Sequence, residues 1–389
     1  MSYHLAQLGR EHIIIERGRI AERWRSERWD SLAFQFPNRM VRLPGYAYEG
    51  DEPDGFMHRD EVVRFIEEYV RRISPPIRCG IVVKALGQAE TGRLLVETHD
   101  FYMEAANVVV ATGPYQEPSI PAFSAALPSA TRQVTANRYT NSSQLPAGNV
   151  LVVGSGGSGC QIAEDLLQSG RGVYLSVRRH RRVPRRYRGK DFGWWQDTTG
   201  ASDQTVENLP PDARAPLLTG VSGGHDIDLR GLGRKGVTLV GSLRDVQGDR
   251  LFFASDLEEN LARGDETFNQ FTRSVDEYIL KHNLAAAVEP RPDPLAFVRP
   301  STSPPIRDLD VRAAGITSVI WATGYRYDFG WINCAVLDAS GKPVHRRGVT
   351  AVPGLYFLGL PRLHKIKSAF LWGVGEDAEY LAQHVAMRA

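Results

Sequence analysis

Cysteine is what this chain has least of: Cys79, Cys160 and Cys334 are the only three in 389 residues. They stand far apart, so neither a C-x-x-C dithiol nor a zinc-ligand spacing can be drawn from them. Each reads as a small core residue in a protein of the reducing cytoplasm. Long apolar runs are absent as well, none approaching the ~18 residues of a membrane-spanning helix, and the N-terminus lacks the pattern of a secretory signal. Charge of one sign is not in excess either. The 47 basic and 45 acidic residues leave a net +2, which gives no electrostatic case for nucleic acid. With 42% hydrophobic and 24% charged residues, the composition is that of a soluble globular protein with room for two or three domains.

Glycine is plentiful, and one group of glycines is placed with purpose. The apolar run Asn149–Val153 enters Gly154-Ser155-Gly156-Gly157-Ser158-Gly159, and helix-like sequence follows. This strand, G-x-G-x-x-G turn and helix form the core of a dinucleotide-binding βαβ unit. Gly154 permits the turn, Gly156 lets backbone N–H groups approach a pyrophosphate, and Gly159 lets helix and strand pack closely. Ser155 and Ser158 lie in the same turn. The next strand runs over 171–179. An NAD site places an acid at its end, roughly 20 residues past the glycines. Here Arg178 and Arg179 stand there, and a guanidinium fork suits a 2′-phosphate, which favours NADPH over NADH. The bland alternative is a solvated basic turn, since Arg181, Arg182, Arg185 and Arg186 continue the run.

The N-terminal segment reads as the second half of another such unit. Ser2–Gly9 is helical, with Leu5 and Leu8 apolar and Gly9 as C-cap, and His12–Arg17 is a buried strand carrying Glu16 where a carboxylate would hold ribose hydroxyls. Two buried strands end alike, at Ala111-Thr112-Gly113 and at Ala322-Thr323-Gly324. A third, Gly354-Leu355-Tyr356-Phe357-Leu358-Gly359, repeats the strand-then-glycine design and precedes a helix start at Gly373–Asp377.

In this set and order the motifs resemble the flavin-containing monooxygenases and their bacterial relatives, along essentially the whole chain. The resemblance implies an α/β fold of two Rossmann-like, three-layer dinucleotide-binding domains. An FAD domain (1–145 and 306–389, N-terminally incomplete) would be interrupted by an NADPH domain (146–305). It implies FAD and NADPH as cofactors, with Glu16, Trp24, Leu32, Val83 and Ala111–Gly113 along the FAD. The Ala322–Gly324 crossing, Gly359 and the Gly373–Glu376 helix start would complete the site. It further implies a monooxygenase that uses O2 and a flavin C4a-(hydro)peroxide on a small organic substrate, as a single chain or a homodimer.

Four departures accompany the likeness. The first strand and glycine loop of the FAD unit do not occur in the sequence, so the reading frame is expected to start upstream or to have been shortened. The chain as written is expected to bind FAD poorly and to have a sheet lacking a central strand. The family's histidine four residues before an aromatic is Thr135, with Tyr139 as the aromatic. Its flavin-proximal asparagine corresponds to Gln35, and its Gly-Asp reads Gly359-Leu360. Gln35 and Thr135 are the candidate polar groups at the reacting ends. An NADPH-dependent flavin reductase or oxidase, and a degenerate NADPH-binding protein without activity, stay open as alternatives.

Between the motifs, Trp194 and Trp195 are expected in a loop, either lining an entrance or capping a core. Strands are expected at 237–241 and 250–254. Asp256 is expected to N-cap a long helix whose stripe is Leu257, Leu261, Phe268, Phe271, Val275 and Ile279. A proline-rich return is expected over 287–306.

Overall fold

A computed structural model describes residues 1–208, 214–287 and 305–388, so most of the proline-rich return lies outside the described residues. The larger half is built on one continuous sheet. Its five parallel strands run, in order, Arg132–Thr135, Ile316–Trp321, Asn149–Val153, Val173–Ser176 and Thr238–Val240. Its two outermost contributions in sequence, 132–135 and 316–321, come from beyond 146–305. The central strand is apolar throughout because both of its faces are covered: Val150, Leu151 and Val152 are fully buried. On one face the helix Gly157–Gln168 packs Cys160, Ile162, Ala163 and Leu166 against Val150, Val152 and Leu175. On the other, Leu151, Val153, Val319 and Trp321 meet a three-stranded antiparallel sheet of Leu243–Gln247, Arg250–Phe253 and Asp308–Asp310. Each such aliphatic side chain contributes ~1.5–3 kcal/mol by leaving water.

The other half is less continuous. Ile14–Glu16 pairs in parallel with Ile77–Cys79, and Leu355–Phe357 with Val108–Val110, but these are two separate two-stranded sheets. Their common support is the C-terminal helix Val374–Arg388, which buries Ala378, Leu381, Ala382 and Val385 in one cluster with Leu355, Phe357 and Leu5. Leu5 arrives on the first helix, Ser2–Gln7, which Gly9 follows with a left-handed φ of 63°.

The chain crosses between the halves twice, after each Ala-Thr-Gly. The two crossings are strapped together: Glu117–Pro118 pairs antiparallel with Tyr325–Arg326, and the Ser119 N–H donates to the Gly324 carbonyl at 2.9 Å. The Thr323 hydroxyl returns a bond to the Ser119 carbonyl.

Two local expectations are revised, for the tryptophan pair and for the Asp256 cap. Val83 begins a strand that runs to Gln88 and pairs with Leu94–Thr98. Trp194 and Trp195 lie in a helix, Phe192–Thr198. Asp191 caps it by accepting from the Gly193 N–H at 2.7 Å. Trp195 is buried and donates its indole N–H to the Tyr187 carbonyl at 2.8 Å, so it supports the core rather than an entrance. The long helix spans Leu257–His282 with Leu261, Phe268, Phe271 and Val275 buried. Asp256 occupies its N-cap position, yet its carboxylate accepts from the Ser242 N–H and hydroxyl, at 2.8 and 2.6 Å, not from the helix.

Candidate functional site

The glycine turn of the five-stranded sheet has the geometry that a nucleotide pyrophosphate requires. Gly154 has φ 111°, and a Cβ there would lie 2.4 Å from the Ala322 carbonyl oxygen. A Cβ on Gly159 would lie 1.9 Å from the Gly154 oxygen, so only glycine lets the helix sit this close. A Cβ added at Gly156 or Gly157 would meet nothing within 4 Å, which leaves open space above the first turn of the helix Gly157–Gln168. Its backbone N–H groups and positive dipole end face that space. Ser155, buried, fixes the rim by accepting from the Arg178 N–H at 2.9 Å and donating to the Arg178 carbonyl at 3.1 Å. Ser158 is exposed beside it.

Arg178 and Arg179 are exposed at the end of the second strand. Apart from the exposed Arg186, the remainder of the basic run is not the solvated turn that its composition suggests. Arg182 is buried among Asp226, Asp228 and Asp265 at 3.5–3.7 Å, and Arg230 bonds Asp265 and Glu258 at 3.0 and 2.9 Å. Arg185 is 2% exposed. It lies 2.9 Å from Asp191, donates to the Gln35 carbonyl at 2.8 Å, and stacks on the Phe56 ring. Burial also pushes the His180 imidazole down to about 4.

In the other half Glu16 ends its strand partly exposed and accepts from the Gly18 N–H at 2.7 Å. Ala111 and Thr112 are exposed at the end of their strand, and Gln116 braces the turn by donating to the Thr112 hydroxyl and the Gly113 carbonyl. At Gly359, with φ 75°, an added Cβ would likewise meet nothing within 4 Å. Trp24 packs on Phe34 at 5.8 Å. Leu32 is buried in the core of the larger half with Trp29, Val134 and Tyr139, and Val83 is partly buried against the core of the smaller half. Ala322 and Thr323 are partly exposed, and Ala322 crowds the glycine turn.

The two candidate reacting-end groups lie on different elements. Gln35 donates its amide N–H to the Pro216 carbonyl at 3.0 Å. Thr135, on the edge strand of the five-stranded sheet, donates to Asn137 at 2.7 Å. The residue after Gln35, Phe36, belongs to an aromatic wall. Phe36 meets Phe370 at 5.5 Å and Trp372 at 4.5 Å, and Phe370 stacks on Trp372 at 4.6 Å. The wall leads directly into Gly373, whose Cβ would lie 2.1 Å from the Lys367 carbonyl.

Sequence reasoning missed three features whose partners are distant in the chain. Asp165, on the glycine-motif helix, accepts from the Tyr139 hydroxyl at 2.5 Å and from Ser31, tying both segments to that helix. Lys365 and Lys367 both bridge Asp203 and Glu376, joining the larger half to the start of the C-terminal helix. Arg28 lies between the rings of Trp24 and Tyr115. Among the described residues no helix is long and apolar enough to cross a membrane.

Comparison with known proteins fits this arrangement. Residues 1–190 match the family described as pyridine nucleotide-disulphide oxidoreductase. An uncharacterized CzcO-like oxidoreductase of Geobacillus kaustophilus is 34% identical over 388 residues, 99% of this chain and 94% of that protein. Among solved structures, a flavin-containing monooxygenase from Stenotrophomonas maltophilia aligns with a TM-score of 0.64 at 16% identity, covering 97% of this chain and 98% of that one. The bacillithiol disulfide reductase Bdr of Bacillus cereus aligns with a TM-score of 0.62 at 16% identity, covering 100% and 95%. At such identities the two structures share the fold, and their different chemistries show that the fold alone does not choose between them. The chain belongs to the family of the CzcO-like oxidoreductases, built on the two-dinucleotide-domain fold of the flavin monooxygenases.

Proposed function

We propose that the protein is an FAD- and NADPH-dependent monooxygenase: substrate, O2, NADPH and a proton give oxygenated substrate, NADP⁺ and water. The residues present fit both cofactors. The open space above Gly156 and Gly157 takes the NADPH pyrophosphate on backbone N–H groups, and Arg178 takes the 2′-phosphate. Glu16 accepts from the FAD ribose hydroxyls, and the exposed Ala111–Gly113 turn and the free approach to Gly359 leave room along the rest of the cofactor. When bound, FAD supplies hydride acceptance from NADPH and the activation of O2.

The observation that carries the oxygenase reading over the reductase is the aromatic wall of Phe36, Phe370 and Trp372, at the helix start where the resemblance puts the flavin. Oxygen transfer needs a dry site, because water diverts activated oxygen to peroxide. Gln35 and Thr135 remain the polar groups proposed for the reacting ends, each held by one bond that leaves an oxygen free to accept. No side chain is assigned as nucleophile or general base. The dithiol version of the reductase is disfavoured by position: Cys160 is buried in the larger half with its thiol pushed up by burial, Cys79 is exposed, and Cys334 packs in the smaller half.

The test is NADPH oxidation under ¹⁸O2 with a panel of amines, sulfides and ketones. One labelled oxygen in the product per NADPH supports the reading. NADPH consumed with a disulfide and without O2 uptake would replace it by the reductase.

A further inference from the structure

We infer that Arg28 is a phosphate-binding residue of the FAD site, gripping the cofactor's pyrophosphate from between Trp24 and Tyr115; this rests on the FAD reading above. Its guanidinium carbon lies 5.4 Å from the Trp24 ring centroid and 5.5 Å from that of Tyr115. A cation held on ring faces is oriented without its N–H groups being consumed, so the edges of the fork stay available to an anion.

The two rings come from segments on either side of the proposed cofactor path. Trp24 follows the ribose acid Glu16 on the short helix Glu22–Ser26, and Tyr115 lies two residues past Gly113, at the exposed end of the strand Val108–Val110. The clamp is braced at Tyr115 and at the Arg28 backbone. Tyr115 packs edge-on against Tyr325 at 5.2 Å, and the Arg28 carbonyl accepts from Arg59 at 2.6 Å.

Arg28 also differs from the three arginines that precede it. Arg19 pairs with Glu22, Arg23 with Glu27 and Arg25 with Glu67. Among the described residues Arg28 forms no ion pair; one N–H donates to the Glu27 carbonyl at 2.7 Å. A partly exposed cation in an aromatic clamp, without a carboxylate, beside a turn proposed to follow a diphosphate, is matched by that diphosphate in charge and geometry.

The experiment titrates FAD into flavin-stripped wild type, R28A and R28K, read by quenching of flavin fluorescence, with NADPH affinity and thermal stability measured alongside. R28A is expected to weaken FAD binding about 10- to 100-fold, the worth of charge-assisted hydrogen bonds. R28K should recover part of the loss, and NADPH affinity and cofactor-free stability should not change. FAD affinity unchanged in R28A would overturn this inference alone. Equal loss of FAD, NADPH and stability would also overturn it, as a purely structural role. A wild type that takes up no FAD would overturn the FAD reading together with it.

Discussion

The two halves solve the same problem, holding a dinucleotide, by different means. In the larger half the site is backbone: a central strand, four glycines in one turn and a helix start, contiguous in sequence and set on an unbroken five-stranded sheet. In the smaller half the parallel strands form two separate pairs, and the candidate site is assembled from Glu16, Arg28, the 111–113 turn, Gly359 and the 373–376 helix start. A backbone site tolerates no added atom at its contacts. A gathered site should lose affinity piece by piece.

The sharpest way to break this contrast is Gly159→Ala. Its Cβ would meet the Gly154 oxygen at 1.9 Å, so destabilisation of about 3 kcal/mol or more is expected, with NADPH binding lost. Gly156→Ala is the control. It has free space and an extended backbone at φ −77°, so stability should change by less than ~1 kcal/mol while NADPH affinity falls at least about tenfold. Thermal melts and NADPH titration separate the two, and equal melting temperatures would contradict the packing account.

Next in size is an acid sensitivity belonging to the larger half. His180 has its imidazole pushed down to about 4 by burial, with the long helix against it at Gly264. The unfolded chain binds this proton below about 6.5. Between there and about pH 4 the unfolded state therefore holds more protons, and stability falls as pH falls, by about 3 kcal/mol at most. Denaturant melts of wild type and His180→Gln across this window should differ in slope, and parallel slopes would remove His180 from the account.

Arg178→Ala is expected to raise the Kd for NADPH about 10-fold or more and to leave NADH unchanged, because an exposed guanidinium meets only the 2′-phosphate. An equal effect on both nucleotides would place Arg178 elsewhere on the cofactor.

The smallest effect concerns the seam between the halves. Burial works to raise the Asp203 carboxyl, but Lys365 and Lys367 outweigh it and hold the group below its usual range. A lowered carboxyl stabilises above its unfolded value, near 3.8, and that contribution disappears as pH falls through the folded value. Asp203→Asn should thus cost about 1 kcal/mol at neutral pH, screened because Asp203 is half exposed, and the difference should vanish in strong acid.

The halves also differ in how much of them could be read in advance. The glycine turn, the Arg178 end and both Ala-Thr-Gly strands were legible because each is local: a few adjacent residues dictate one backbone path. The fate of the basic run was not. Arg182 and Arg185 are buried because Asp191, Asp226, Asp228 and Asp265 arrive from other elements. Trp195 looked like loop because the Asp191 cap and the Tyr187 carbonyl that accepts from its indole carry no periodic signal. Arg28, Asp165 and the Asp203–Lys365–Lys367–Glu376 bridge were invisible for the same reason.

The most direct measurement is the visible spectrum of the protein incubated with FAD and freed of excess, followed through anaerobic NADPH addition and then air. The account predicts bound flavin bands, bleached by NADPH far faster than by NADH and regained with O2. Flavin bands that NADPH does not bleach, or no bands at saturating FAD, would contradict it.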